Sequence, residues 1–450
     1  MKRAEGREPD LLFCCSAIDR SRELSVPFFP LIRFNRHTFR KKGNSMTKTR
    51  VLTLFLLAVV ISVCVAQQYE LKDLPQRVIL NITQDPASSV AVTWRTIGSY
   101  PNSQVQITKA SDWTELEKGA LKFDAKKEQV VLRGVNSVSH YSAVVSDLEP
   151  DVLYAYRVGH DSIWSGWSQF QTAKAGQSPF TFVYFGDPQN DLVRYCSRVF
   201  HEAFRKSPDA RFWLFVGDII GEPQHDSLWS ELFTSIGFIP TMIPFALIPG
   251  NHEYPNYEVT GARREIVPLW RPHFTLPING VKGLEETSYY FDYQGTRFIM
   301  LNGEEKLAEQ AQWMESLLAK NPNKWTIACV HHPLFSMGRT RDERQTRDAF
   351  MSLFDSYGVD LVLAGHDHVY SRSHKLRNGA IVPDAEKGTI YIVSVSGSKA
   401  YPLSLKYKDL MVKIGEKVQL FQTISIDGNT LTYKSHTVTG AVYDCFEMKK

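Results

Sequence analysis

Five short segments carry the residue types that bind metals and move protons: Gly186-Asp187-Pro188-Gln189, Gly217-Asp218, Gly250-Asn251-His252-Glu253, Val330-His331-His332 and Gly365-His366-Asp367-His368. Each follows an apolar, β-branched or aromatic run that reads as a buried strand. Open α/β sheets gather ligands at the carboxyl ends of such strands, so these side chains are expected to converge. Singly, the segments say little. A Gly-Asp after a strand is most often a turn, and a His beside an apolar strand is most often a hydrogen-bonded structural residue. Gly-His-Asp-His is more specific, because two imidazoles one residue apart are rarely needed for packing. Five such segments, each in the same strand context, favour a metal centre.

The chemistry that fits is a two-metal site, with ions about 3.5–4 Å apart clamping the attacking and leaving oxygens of an in-line displacement. It needs one carboxylate shared by both ions, and Asp218 is placed for that. Asp187 and His368 complete one side; Asn251, through its amide oxygen, His331 and His366 complete the other. Imidazole mixed with carboxylate suits Zn²⁺, iron or Mn²⁺. Two carboxylates against two multivalent cations leave net positive charge, which attracts a phosphate dianion and generates metal-bound hydroxide near neutral pH. His252 is expected in the cleft without being a ligand, where it contacts phosphate or protonates the leaving oxygen; the alternative is that it only orients a ligand. Glu253 is its expected support, and His332 reads as structural. Arg339 and Arg341, in a polar loop, are candidates to clamp substrate phosphate, against the plainer reading of solvated loop charge. Gly186, Gly217, Gly250 and Gly365 stand where the strands must turn sharply.

The elements that must position these residues alternate from residue 180 onward. Strands are expected at 180–185, 212–216, 245–248, 298–302, 325–330 and 359–364, with helices at 192–206, 227–236, 308–319 and 347–357. Strands return at 390–395, 418–426 and 431–437, completing a layered α/β/β/α domain. Residues 75–173 read as all-β, with regular short strands parted by turn signals, which argues for a sandwich. Its core is expected to set Trp94 against Tyr154 and Tyr156. Residues 173–178 form the linker.

Composition narrows the rest. The chain has 450 residues, room for two or three domains. The first 66 residues hold 12 of the 52 Lys/Arg and 5 of the 48 Asp/Glu, so the remainder carries 40 basic and 43 acidic side chains, a net of −3. No nucleic-acid partner is expected from that balance. Residues 51–66 are the one long apolar run, short for a membrane span. With Lys48 and Arg50 before it and small residues at Cys64 and Ala66, it reads as a secretory signal starting at Met46. An uncleaved anchor is the alternative. A secreted, periplasmic or extracellular location follows, and residues 1–45 read as a mispredicted start or disordered extension. Cys196, Cys329 and Cys445 make no disulfide framework. Asn81-Ile82-Thr83 fits the N-glycosylation pattern.

Pro75-Gln76-Arg77-Val78, Val92-Thr93-Trp94 and residues 154–159, together with the five segments, make residues 75–440 resemble the purple acid phosphatase branch of the calcineurin-like metallophosphoesterases. The resemblance implies a fibronectin III-like domain over 67–174 and a metallophosphoesterase domain over 175–450. It also implies hydrolysis of small phosphate monoesters by an Fe–Zn, Fe–Mn or Fe–Fe pair. It places Asp187, Asp218 and His368 on one ion, and Asp218, Asn251, His331 and His366 on the other. Two departures stand out. The family's Gly-Asp-x-x-Tyr has Gly221 in place of the Tyr whose phenolate gives the purple colour. Related phosphoesterases carry Asp-x-His where this chain has Asp187-Pro188-Gln189, which sets Gln189, through its amide oxygen, at a ligand position. A colourless enzyme with Zn²⁺, Mn²⁺ or Fe²⁺ is therefore expected. A phosphodiesterase or nucleotidase with the same metals is the nearest alternative, and a non-catalytic surface binding protein the rival from another class.

Overall fold

The computed structural model describes residues 73–130, 138–254 and 265–450. The expected extension over 1–45 and signal over 46–66 lie outside the described residues. Nine strands come first: β1 (Gln76–Asn81), β2 (Val90–Thr96), β3 (Ser103–Lys109), β4 (Leu121–Asp124), β5 (Lys126–Val130), β6 (Val138–Val145), β7 (Leu153–His160), β8 (Ile163–Trp164) and β9 (Ser168–Gln171). Two sheets form, β1-β2-β6-β5 and β4-β3-β7-β8, with β9 on β7. Trp94 stacks on Tyr141 with ring centroids 5.5 Å apart, in one apolar cluster with Tyr154 and Tyr156 of the facing sheet. Each such ring contributes roughly 2–3 kcal/mol by leaving water. The solvent-facing lysines of β5 had hidden that strand from the apolar pattern.

The α/β part follows as β10 (Phe180–Phe185), α1 (Ser197–Lys206), β11 (Trp213–Val216), α2 (Asp226–Ile236), β12 (Phe245–Ile248), α3 (Trp270–His273), β13 (Tyr289–Tyr293), β14 (Thr296–Leu301), α4 (Leu307–Leu318), β15 (Trp325–Val330), α5 (Arg344–Tyr357) and β16 (Leu361–Ala364). It closes with β17 (Tyr370–Arg377), β18 (Ala380–Ile381), β19 (Thr389–Val393), β20 (Met411–Gly415), β21 (Leu420–Asp427), β22 (Thr430–Thr437) and β23 (Val442–Lys449). A sheet β13-β14-β15-β16-β19-β17-β18, with β20 on β17, faces the sheet containing β21-β10-β11-β12. Phe182 and Phe212 from one meet Phe298 from the other edge-on, each at 5.2 Å. Helices α1 and α2 bury Phe200 and Trp229 on the outside of the first sheet, and α4 and α5 bury Met314 and Phe350 on the outside of the second. The result is the expected four-layer α/β/β/α arrangement beside a β-sandwich. The stretch 192–206 opens with a π-helical turn, Leu192–Cys196, before α1, and the helix expected at 347 begins one turn earlier at Arg344. Cys196 and Cys329 are buried free thiols, and Cys445 is exposed.

The sandwich joins the α/β part through the backbone. Strand β1 pairs in parallel with β12 at Asn81 and Phe245, so both belong to one ten-stranded sheet. This corrects the glycosylation reading: Asn81 is fully buried and its Oδ1 accepts the Thr275 N–H at 3.1 Å. The sequon is a strand end sealed inside the sheet.

A buried charge cluster reinforces the join. Arg77 Nη1 and Arg95 Nη1, from β1 and β2, donate to the Asp226 carboxylate at 2.7 and 2.9 Å, where α2 begins. Burial alone would raise the Asp226 carboxyl, but the two guanidiniums hold it below the ordinary aspartate value. Removing it leaves two buried cations without a counter-charge, so Asp226→Ala is expected to cost about 3 kcal/mol in urea unfolding. Because the folded value is depressed, that contribution is present above the ordinary aspartate range and is lost as pH falls through the folded value. A variant as stable as the parent at neutral pH would show the cluster to be incidental.

Candidate metal centre

The parallel strands β10, β11, β12, β15 and β16 end on the same edge of the two facing sheets, and the loops that follow carry the five segments. Backbone bonds tie those loops together: Gly365 N–H donates to His331 O at 3.0 Å and Ser396 N–H to Gly186 O at 2.7 Å. Four of the side-chain bearers, Asp187, Asp218, His366 and His368, hold a left-handed backbone with φ between 48° and 69°. That conformation costs on the order of 1 kcal/mol or more for each non-glycine residue and is sustained only where the surroundings enforce it. Gly365 has no side chain for a physical reason: a β-carbon there would run into the Asp187 carboxylate.

The donor atoms gather in two groups that share Asp218. Carboxylate and imidazole atoms of Asp218, His331 and His366 lie within 4.8 Å of one another, as do those of Asp187, Asp218 and His368. Asn251 joins the first group, its Oδ1 being 3.3 Å from His331 Nε2. Asp187, Asp218 and His331 are at most 1% exposed.

Hydrogen bonds on the far side of each ring tell which atom faces inward. His331 Nδ1–H donates to the Val216 carbonyl at 2.8 Å, so Nε2 faces the centre. His366 Nε2 lies 3.4 Å from Glu343 Oε1, which leaves Nδ1 pointing inward, 3.2 Å from His331 Nε2. Asn251 Oδ1, His331 Nε2 and His366 Nδ1 therefore converge, with Asp218 Oδ2 3.4 Å from His331 Nε2, and a metal ion would take the place of the proton that His331 otherwise holds there. The charges agree. Burial opposes protonation of His331, yet Asp218 and Asp187 raise it to about 10, while burial and the neighbouring imidazoles push His366 well down. Burial, then the Asp218 charge, holds Asp187 well above the carboxylate range, and the same two causes take Glu253 to about 8. The pocket is short of positive charge, and the residues present fit a pair of metal ions.

Gln189 reaches the same point differently from expectation. Its Nε2 amide, rather than its oxygen, approaches Asp218 Oδ2 at 3.2 Å and His368 Nε2 at 3.0 Å, and Oε1 is buried without a hydrogen-bond partner. Two acceptors facing it favour the amide nitrogen; a cation there would reverse the preference and turn Oε1 inward.

Glu253 supports the loops more than His252. Its carboxylate accepts the backbone N–H groups of Asp218 and Ile219, each at 2.9 Å, and of Gly250 at 2.7 Å. The His252 ring instead bonds Gly221: Nδ1 lies 2.6 Å from that carbonyl, and Nε2 faces Asp218 Oδ2 at 3.9 Å with the side chain 31% exposed. Asp367 is not directed at the centre; it accepts Ser336 Oγ–H at 2.7 Å and Met337 N–H at 2.6 Å. His332 packs on His366 at 4.4 Å between ring centroids and lies 3.4 Å from Glu304. Arg341 donates to the His366 carbonyl at 2.6 Å and lines a cleft of about 990 Å³ with Asn251, Glu304, His332 and Glu343. Arg339 is exposed and stands off the donor atoms, stacked on Tyr401. Glu343 and the Gly221 carbonyl were missed from sequence; the first sits in the charge run Arg341-Asp342-Glu343-Arg344, which looks like any solvated loop.

Comparisons with known proteins agree with this architecture. Residues 180–370 match the calcineurin-like phosphoesterase family, and residues 75–172 match the purple acid phosphatase N-terminal domain. An uncharacterized protein of Mycobacterium tuberculosis is 26% identical over 384 residues, covering 72% of this chain and 69% of its own. Purple acid phosphatase 15 of Arabidopsis thaliana is 30% identical over 180 residues, 38% of this chain and 32% of that one. The structure of purple acid phosphatase PPD1 from yellow lupin (Lupinus luteus) seeds shares the fold, with a TM-score of 0.72 at 19% identity over 84% of this chain and 74% of that one. Residues 180–370 are thus a calcineurin-like phosphoesterase domain and residues 75–172 a purple acid phosphatase N-terminal domain, which makes the chain purple acid phosphatase-like.

Proposed function

We propose that this protein is a binuclear-metal hydrolase of small phosphate monoesters. The observation that carries the reading is the pair of donor groups meeting at Asp218. Asp187, Asp218 and His368 would hold one ion, with Gln189 beside them, and Asp218, His331 and His366, joined by Asn251, would hold the other. When bound, the pair supplies Lewis acidity and positive charge for phosphoryl oxygens. The chain's own residues do the rest. Asn251 and Arg341 border the cleft and orient the phosphoryl group, and Glu253 keeps the 218 and 250 loops in register through their N–H groups. His252, its Nδ1 held by Gly221, presents Nε2 to the leaving oxygen and hands it a proton.

Zn²⁺, Mn²⁺ or Fe²⁺ is the proposed metal, because Gly221 offers a carbonyl to His252 where a phenolate would be needed for an iron–tyrosinate. The metal-loaded protein is accordingly expected to be colourless; a strong visible absorption band would sink that assignment. We further propose that residues 67–174 and 175–450 are its two domains and that the protein is secreted or periplasmic. Among the described residues no helix is long and apolar enough to cross a membrane.

The test is to load the purified protein separately with each metal and measure hydrolysis of 4-nitrophenyl phosphate beside the bis-ester. Monoester turnover abolished by a chelator is expected. Preference for the diester would move the function to a phosphodiesterase, and no turnover despite bound metal would favour a binding role.

A further inference from the structure

Two tyrosines near the cleft carry cations on their rings, and only on one of them is every cation paired with a carboxylate. On Tyr407, Arg347 and Lys406 lie 5.6 and 5.2 Å from the ring centroid, and the Asp342 carboxylate neutralises both at 2.7 and 2.6 Å. On Tyr401, Arg339 stacks at 3.4 Å, with Arg341 and Lys399 each at 5.3 Å. Among the described residues Arg339 and Lys399 make no ion pair with a carboxylate, while the charge of Arg341 acts on Glu343 and Asp367. Glu343 and Asp342, the acids on the same loop, are directed at His366 and at Arg347 and Lys406.

The cations are held in place. Arg339 has φ +56°, a left-handed backbone that a non-glycine residue adopts at a cost. Its N–H donates to Pro402 O at 2.8 Å, Ser404 N–H donates to Met337 O at 2.6 Å, and Gly338 bridges to Leu403. These bonds stitch the 337–341 loop to the 399–404 loop. Tyr401 then stands edge-on to His368 at 4.8 Å, so the cations lie within two ring contacts of the metal-binding atoms. Arg339 and Lys399 repel across one ring, and the strain at Arg339 adds to that; such an arrangement suits an anion that arrives from outside.

We propose that Arg339, Lys399 and Tyr401 form a subsite for a second phosphoryl group of the substrate, so that the preferred substrates carry two phosphoryl groups. The inference rests on the phosphoesterase reading for the first phosphoryl group. A guanidinium and an ammonium on an aromatic platform suit a phosphoryl group through charge-assisted hydrogen bonds.

The experiment compares kcat/KM for two probes of different spacing, pyrophosphate and fructose 1,6-bisphosphate, with that for 4-nitrophenyl phosphate. Lys399→Ala and Arg339→Ala are each expected to lower the ratio of bisphosphate to monophosphate kcat/KM by about tenfold for at least one probe, the scale of one charged hydrogen bond. A ratio unchanged for both probes in both variants overturns the subsite. Failure of the parent protein to hydrolyse any of the three would count against the phosphoesterase reading alone. The subsite is then decided by titrating methylenediphosphonate into the zinc-loaded protein: about tenfold weaker binding in the variants supports it, and equal binding overturns it.

Discussion

Replacing Asp218 by Ala is expected to remove both metal ions and lower kcat/KM at least about a thousandfold, on the order of 4 kcal/mol of transition-state stabilisation. The size follows from position. Asp218 is the one side chain common to both donor groups, and its Oδ1 also accepts the His252 N–H at 2.9 Å. One substitution therefore unmakes both halves of the centre and frees the loop that carries His252. The metal-free protein should respond as well. Asp218 is a like charge to buried Asp187 and Glu253 and raises both carboxyls beyond what burial does alone. Its removal relieves that repulsion but strips buried His331 of the carboxylate that holds its proton, and, against burial, His331 and His252 hold Asp218 well below the carboxylate range. The metal-free variant is therefore expected to melt lower than the parent and also to lose the stabilisation that added metal confers. Metal analysis and melting curves with and without Zn²⁺ read the two effects separately. A variant that keeps two ions and full turnover would leave the shared-carboxylate arrangement without support.

What was legible in the sequence, and what was not, divides along physical lines. Asp187, Asp218, Asn251, His331 and His366 each follow within three residues from the end of a strand that is almost wholly apolar. Local composition thus marks both the element and the point where it ends. The four layers follow from alternation of period. Strand β17 escaped because it is polar and yet buried: Arg372 is satisfied by Asp444 through bonds of 2.7 and 2.9 Å, a pairing 72 residues away that no local pattern records. The burial of Asn81 escaped for the same reason, since β12 is far along the chain. Gln189 was placed by spacing, but the direction of its amide depends on the charges of its neighbours. Lys399 and Tyr401 lie in a stretch with no strand context, and they matter only because Arg339 is folded onto them.

His252 carries the remaining large effect, and it separates proton transfer from metal binding. The ring belongs to neither donor group, its Nε2 lying 3.9 Å from Asp218 Oδ2, and its Nδ1 is spent on the Gly221 carbonyl. His252→Ala is therefore expected to keep both metals while kcat on an alkyl phosphate falls about a hundred- to a thousandfold, the usual contribution of a positioned acid. A leaving group that needs no proton should escape most of that loss. On 4-nitrophenyl phosphate the same variant is expected to lose about tenfold or less, so the ratio between the two substrates is the signature of acid catalysis. A purely orienting His252 would depress both substrates alike, because it would act through the placement of Asp218. Gly221 takes part in the same argument. In the family pattern that position supplies a metal-binding phenolate; here its carbonyl fixes which nitrogen of His252 faces the cleft. A residue bulkier than Gly at 221 would meet the Asn190 amide, 3.1 Å from where its β-carbon would sit. Restoring a tyrosine there is thus expected to displace the loop and the His252 ring with it, giving the His252→Ala substrate ratio without touching His252 itself.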